Sequence, residues 1–169
     1  MNWNKALASL LVLGLIIGFG VYNDATTPDN PFEEDPIVVN VTYGENITES
    51  YDSLTNTSID YWNEHDEQYG NWTANLSFRP DAEQAEITIH FVEEIDSCGL
   101  NFAIMSSFTG CSDLIKDYHT YDHTTVEIVG ERPKESVKRT VKHEFGHIYG
   151  IEHGEEPMPL MDGEVERLT

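Results

Sequence analysis

The chain of 169 residues has room for one domain with a sizeable core. Thirty-one acidic residues face nine basic ones, and the formal net charge of −22 argues against nucleic acid and anionic membrane surfaces as partners. Aromatic residues at 11% speak for a folded domain with a carboxylated surface, as in a protein kept soluble in high salt, rather than for a disordered chain. No D-x-[DN]-x-[DN]-G loop supports a calcium-loaded alternative.

Residues 1–22 read as an export signal or N-terminal membrane anchor. After Lys5 an apolar run extends from Ala6 to Tyr22, broken only by Ser9 and glycines. As a helix it would span about 25 Å, slightly short of a bilayer core. Residues 23–36, rich in Pro and Asp, are expected to be an acidic, extended linker. The domain is then expected over 37–169. Five N-x-[ST] sequons, at Asn40, Asn46, Asn56, Asn71 and Asn75, are candidate glycosylation sites in an exported chain. In that context Cys98 and Cys111 are expected to form a disulfide. It would close a loop of about a dozen residues, worth roughly 2–3 kcal/mol in the chain-entropy account.

Ile37–Tyr43 alternates and is β-branched, which predicts a strand. Ile47, Tyr51, Leu54, Ile59 and Trp62 follow helical spacing, predicting a long amphipathic helix to about Gly70, with Tyr61 and Trp62 as core anchors. Short strands are expected at Asn75–Phe78 and, from Ile87, Ile89 and Phe91, at residues 87–92. A further strand is placed at Phe102–Phe108, and the last at Thr124–Val129. From Pro133 the pattern turns helical up to Tyr149, with Pro133 at the first helical position and Gly146 the sole breaker. Strands with interspersed helices and a C-terminal functional helix predict an α+β sheet domain.

This last helix carries the chemistry. In His143-Glu144-Phe145-Gly146-His147-Ile148-Tyr149-Gly150-Ile151-Glu152-His153, His143 and His147 stand about 40° apart on one helix side. That side is roughly 135° from the apolar stripe of Val137, Val141, Phe145 and Ile148, so both imidazoles are expected to point out of the core. The i, i+4 spacing brings them to one metal. Glu144 can reach a water at that metal without ligating it. Gly150 suits a left-handed residue that ends the helix and lets His153 come round as third ligand. Three imidazoles leave a fourth tetrahedral position open, as catalytic Zn²⁺ requires. The predicted activity is peptide-bond hydrolysis with Glu144 as general base.

The motif resembles that of the metzincin clan of zinc endopeptidases. Met161, in Pro159-Leu160-Met161-Asp162, lies eight residues after His153 and looks like the clan's Met-turn, a short connection most similar to the matrixin-like branch. The resemblance implies a metzincin-like zincin domain: a twisted, mainly parallel sheet, a long backing helix and an active-site helix. Gly154 stands where matrixins carry Ser or Thr, and no PRCGxPD cysteine switch is present. With eight residues after Met161, the family's C-terminal part is expected to be shortened.

His119 and His123, near Asp117 and Asp122, are weighed as a second, structural metal site but lack a clear H-x-D pattern. His65 and His90 are expected at the surface, and Lys138, Arg139 and Lys142 on a solvated helix face. The leading expectation is a secreted or outer-face-anchored monomeric endopeptidase acting on a protein or peptide. It touches membrane only through its N-terminal segment. The alternative is a zinc-binding surface or adhesion protein with the same fold and no turnover.

Overall fold

A computed structural model describes residues 30–32, 34–95, 110–112, 124–130 and 132–162. In chain order the elements are β1 (Ile37–Tyr43), α1 (Asp52–Tyr69), β2 (Leu76–Phe78), β3 (Ile87–Val92), β4 (Gly110–Ser112), β5 (Thr124–Val129) and α2 (Lys134–Ile148). They form one five-stranded sheet of order β2-β1-β3-β5-β4, parallel except for β4, with two helices. This is a mixed α/β arrangement.

Alternation places the core. In β1 and β3 the odd-numbered residues Ile37, Val39, Val41, Ile87, Ile89 and Phe91 are buried. Parallel register pairs Val41 with Ile89 and Ile89 with Val126, so the apolar positions of neighbouring strands share one face. That face joins the buried stripe of α1, with Ile59 and Trp62, and the stripe Val137, Val141, Phe145 and Ile148 of α2. The predicted strands at 37–43, 87–92 and 124–129 match the observed bounds. Two differences stand out. Helix α1 begins at Asp52, because Ile47 and Tyr51 pack from the preceding loop, where the Tyr51 hydroxyl bonds the carbonyl of Gly130. Strand β4 was not anticipated, whereas Phe102–Phe108 lies outside the described residues.

Polar side chains close the loops beside α1. Asn63 accepts from the Leu76 N–H and donates to its carbonyl, both at 2.9 Å, which satisfies an edge residue of β2. Asp66, 7% exposed, accepts from the Ala74 N–H at 3.0 Å and holds the 70–75 loop against the helix end. Trp62 donates from Nε1 to the Lys142 carbonyl at 2.8 Å, joining the two helices. Tyr149 stacks on Trp62 and packs at a tilt against Trp72, with centroids 5.4 and 4.7 Å apart, contacts worth about 0.5–1.5 kcal/mol each beyond burial. Burial, followed by the nearby Asp66 charge, pushes the Tyr149 phenol well above its ordinary range, so this ring stays neutral behind the site.

The packed domain starts before Ile37. Phe32, assigned by sequence to the extended linker, is buried against Trp72 with ring centroids 5.9 Å apart. Among the described residues no helix is long and apolar enough to cross a membrane; residues 1–22 lie outside them.

Candidate metal centre

Helix α2 delivers the first two histidines and the base candidate Glu144. Its side chains at 143, 144 and 147 follow from unbroken helical backbone between Lys134 and Ile148. Pro133 sits at the N-cap, so the helix begins one residue later than predicted. At the other end the Ile151 N–H bonds the Gly146 carbonyl at 3.0 Å, and Gly150 takes φ +79°, the left-handed conformation expected of it. Asn71 braces this turn by donating from Nδ2 to the Gly150 carbonyl at 2.6 Å. The chain then reverses and carries His153 back toward the helix. Gly154, at φ +85°, continues the reversal, and its N–H bonds the Met161 carbonyl at 2.8 Å.

The three imidazoles converge. Nε2 of His143, His147 and His153 form a triangle with every side 3.1 Å. A tetrahedral Zn²⁺ with Zn–N of about 2.0–2.1 Å holds its nitrogens about 3.3 Å apart, so the triangle has the size of a ligand set. The tautomers point the same way. His143 donates from Nδ1 to the Leu160 carbonyl at 2.7 Å, and His147 from Nδ1 to the Ile151 carbonyl at 2.8 Å. A neutral ring with its proton on Nδ1 offers only a lone pair at Nε2. Facing lone pairs at 3.1 Å repel unless a cation lies between them, so the donor set fits a metal ion. These three are the one such group among the described residues. His119, His123, Asp117 and Asp122 lie outside them.

Burial falls stepwise across the triangle: His143 is fully buried, His147 partly, and His153 exposed. The open side of the site therefore faces solvent at His153. His143 departs from the expectation that it points out of the core. The helical wheel places it opposite the apolar stripe, but residues 157–162 cover that second face. Three bonds or contacts tie this cover to α2. They are His143 Nδ1 to Leu160, Arg139 Nη2 to the Pro159 carbonyl at 2.9 Å, and the packing of Met161 beneath Gly146. Met161 is fully buried. Glu144 is also buried, at 1% exposure, against Thr140 and the β4 backbone at Gly110.

The basic helix face is less solvated than expected. Besides the Arg139 bond, Lys142 Nζ stands 3.9 Å over the Tyr61 ring, and burial, then the Lys138 charge, lowers its pKa. His65 stacks on Tyr61 at 4.3 Å, and His90 bonds the Thr42 hydroxyl at 2.7 Å; both are half-buried rather than free on the surface.

The sequons are not equivalent. Asn40 lies inside β1 between β2 and β3, and its Nδ2 donates to the Ala82 carbonyl at 3.0 Å. Asn46, Asn56, Asn71 and Asn75 are exposed. Cys111 is buried on β4, while its expected partner Cys98 is outside the described residues.

Sequence reasoning missed the contact of Arg139 with Pro159 and those of Gly110 with Thr140 and Glu144, because these partners are distant in the chain. Gly146 did leave a signal: glycine inside a helix costs about 1 kcal/mol against alanine, which implies a close approach at that position.

No protein-family model and no curated protein matches the chain. Among solved structures it is similar to the crystal structure of myroilysin, with a TM-score of 0.37 and 16% identity, over 78% of this chain and 49% of that one. The chain thus spans about half the length of that structure. The chemistry of the site rests on its own residues.

Proposed function

We propose that the chain is a zinc-dependent endopeptidase of the metzincin type, matrixin-like in its short connection from His153 to Met161. The observation that carries this reading is the Nε2 triangle of 3.1 Å sides, with Glu144 next in the chain to the first ligand. His143, His147 and His153 would hold the ion. Bound there, Zn²⁺ supplies Lewis acidity that polarises a peptide carbonyl and acidifies water at neutral pH. Glu144 accepts the proton of the attacking water and returns it to the leaving amine. Its burial beside β4 holds the carboxylate in place and restricts competing solvent. The Leu160 and Ile151 carbonyls keep two rings in the lone-pair tautomer, and Gly150 and Met161 support the loop and floor of the site.

The apolar segment 1–22, the exposed sequons and the expected Cys98–Cys111 bridge support a place outside the cytoplasm, secreted or anchored on the outer face. The acidity supports a high-salt milieu, and a monomer acting on a protein or peptide chain is the simplest assembly.

The full chain, purified in high salt with zinc, is expected to cleave an unstructured protein. A chelator should stop cleavage and added zinc restore it. Stoichiometric zinc without cleavage of any substrate in a broad panel would contradict the peptidase and favour a zinc-binding surface protein.

A further inference from the structure

We infer that Gly110 is a positioning residue for Glu144, and that the absence of a side chain on β4 at this point sets where the carboxylate lies. The inference deepens the peptidase reading and rests on Glu144 as its base.

A Cβ built on Gly110 would stand 2.6 Å from Glu144 Oε1, 3.0 Å from its Cγ and 2.4 Å from Thr140 Cγ2. Real Cβ atoms do not approach other heavy atoms so closely, so something must move. The strand is poorly placed to do so. Gly110 pairs with Ile128 in the antiparallel ladder, and Ile128 is fully buried in the central core. Retreat of β4 would strip that pairing and leave backbone groups unsatisfied. Helix α2 is held as firmly, by its core stripe and by the Trp62 bond to Lys142. What can yield is the side chain of Glu144, through its χ angles.

Thr140 and Glu144 are one helical turn apart and form a wall that lies flush on the Gly110 backbone. The strand thus closes one side of the space available to the carboxylate and leaves fewer rotamers to it. Such restriction matters because a base displaced by about 1 Å can lose roughly a hundredfold in rate. The three nearest atoms met by a Cβ at Gly110 belong to Thr140 and Glu144, and the metal ligands are other side chains, so zinc content should be retained.

The test uses the full chain and separates the two contacts. Thr140→Ser removes Cγ2 and serves as the reference. Adding Gly110→Ala to it leaves Glu144 as the conflicting group. Relative to that reference, kcat is expected to fall roughly ten- to a hundredfold with KM nearly unchanged and zinc content retained. The thermal midpoint should also fall. In a Glu144→Ala background the same addition should leave the midpoint almost unmoved, because the obstacle is gone. An equal fall in midpoint with and without Glu144→Ala would overturn the inference. Retained kcat in the Gly110→Ala, Thr140→Ser variant would overturn it as well. Persistence of cleavage in Glu144→Ala alone would instead defeat the peptidase mechanism, while the midpoint coupling between the two positions would still stand.

Discussion

Glu144→Gln is expected to lower peptidase turnover by about 10²–10⁴-fold while zinc content stays unchanged. The amide has nearly the size of the carboxylate, so the contacts with Thr140 and Gly110 persist at this site of 1% exposure. It lacks the basicity to take a proton from water. The metal site should survive, because the three nitrogens that define it belong to other residues. Turnover and zinc content measured on one preparation check this. A variant with turnover within a factor of a few of the parent would remove Glu144 from the mechanism.

Gly146→Ala should be the most damaging small change in the site's framework. A Cβ there would lie 2.4 Å from Met161 Sδ, 2.8 Å from its Cε and 3.2 Å from Trp62 Cζ2. Alanine is the better helix former, so an exposed position would gain about 1 kcal/mol. Overpacking of a closed site costs about 1–3 kcal/mol and here outweighs that gain. Met161 is fully buried and Trp62 is bonded to Lys142, so neither can leave without disturbing its neighbours. The displacement should travel to Leu160, whose carbonyl orients His143. Loss of such an orienting partner weakens metal affinity by roughly 10–100-fold. Thermal melting and zinc titration of the variant measure both effects. A variant with raised melting temperature and parental zinc affinity would show that Met161 does not press on the helix.

These two expectations separate what the chain shows locally from what it shows only when folded. The histidine spacing, the left-handed Gly150 and the alternation in β1, β3 and β5 are local. Each follows from one backbone geometry, and each appears where the periodicities place it. The order β2-β1-β3-β5-β4 is not local, since hydrophobic period does not name a strand's neighbours. Strand β4 is the clearest case. Gly110-Cys111-Ser112 has no alternation of its own and is extended because β5 pairs with it. The burial of His143 is another. A helical wheel shows one apolar stripe, but residues 157–162 fold over the opposite side, and only the three-dimensional path of the chain reveals it. The same cover turns Arg139 from a solvated charge into a brace for Pro159. The reach of the core to Phe32 was hidden by the Pro and Asp residues around it, which mask one buried ring in an otherwise polar stretch.

The central claim is that three histidines hold one metal ion beside Glu144, and metal content tests it most directly. The full chain, dialysed against trace zinc and assayed by elemental analysis, is predicted to retain one zinc per chain through the three-nitrogen set. His153→Ala, which removes the exposed ligand and leaves the buried helix intact, is predicted to bring that content close to zero without unfolding the domain. An unchanged zinc content in His153→Ala, or a parent chain that holds no zinc, would contradict the account.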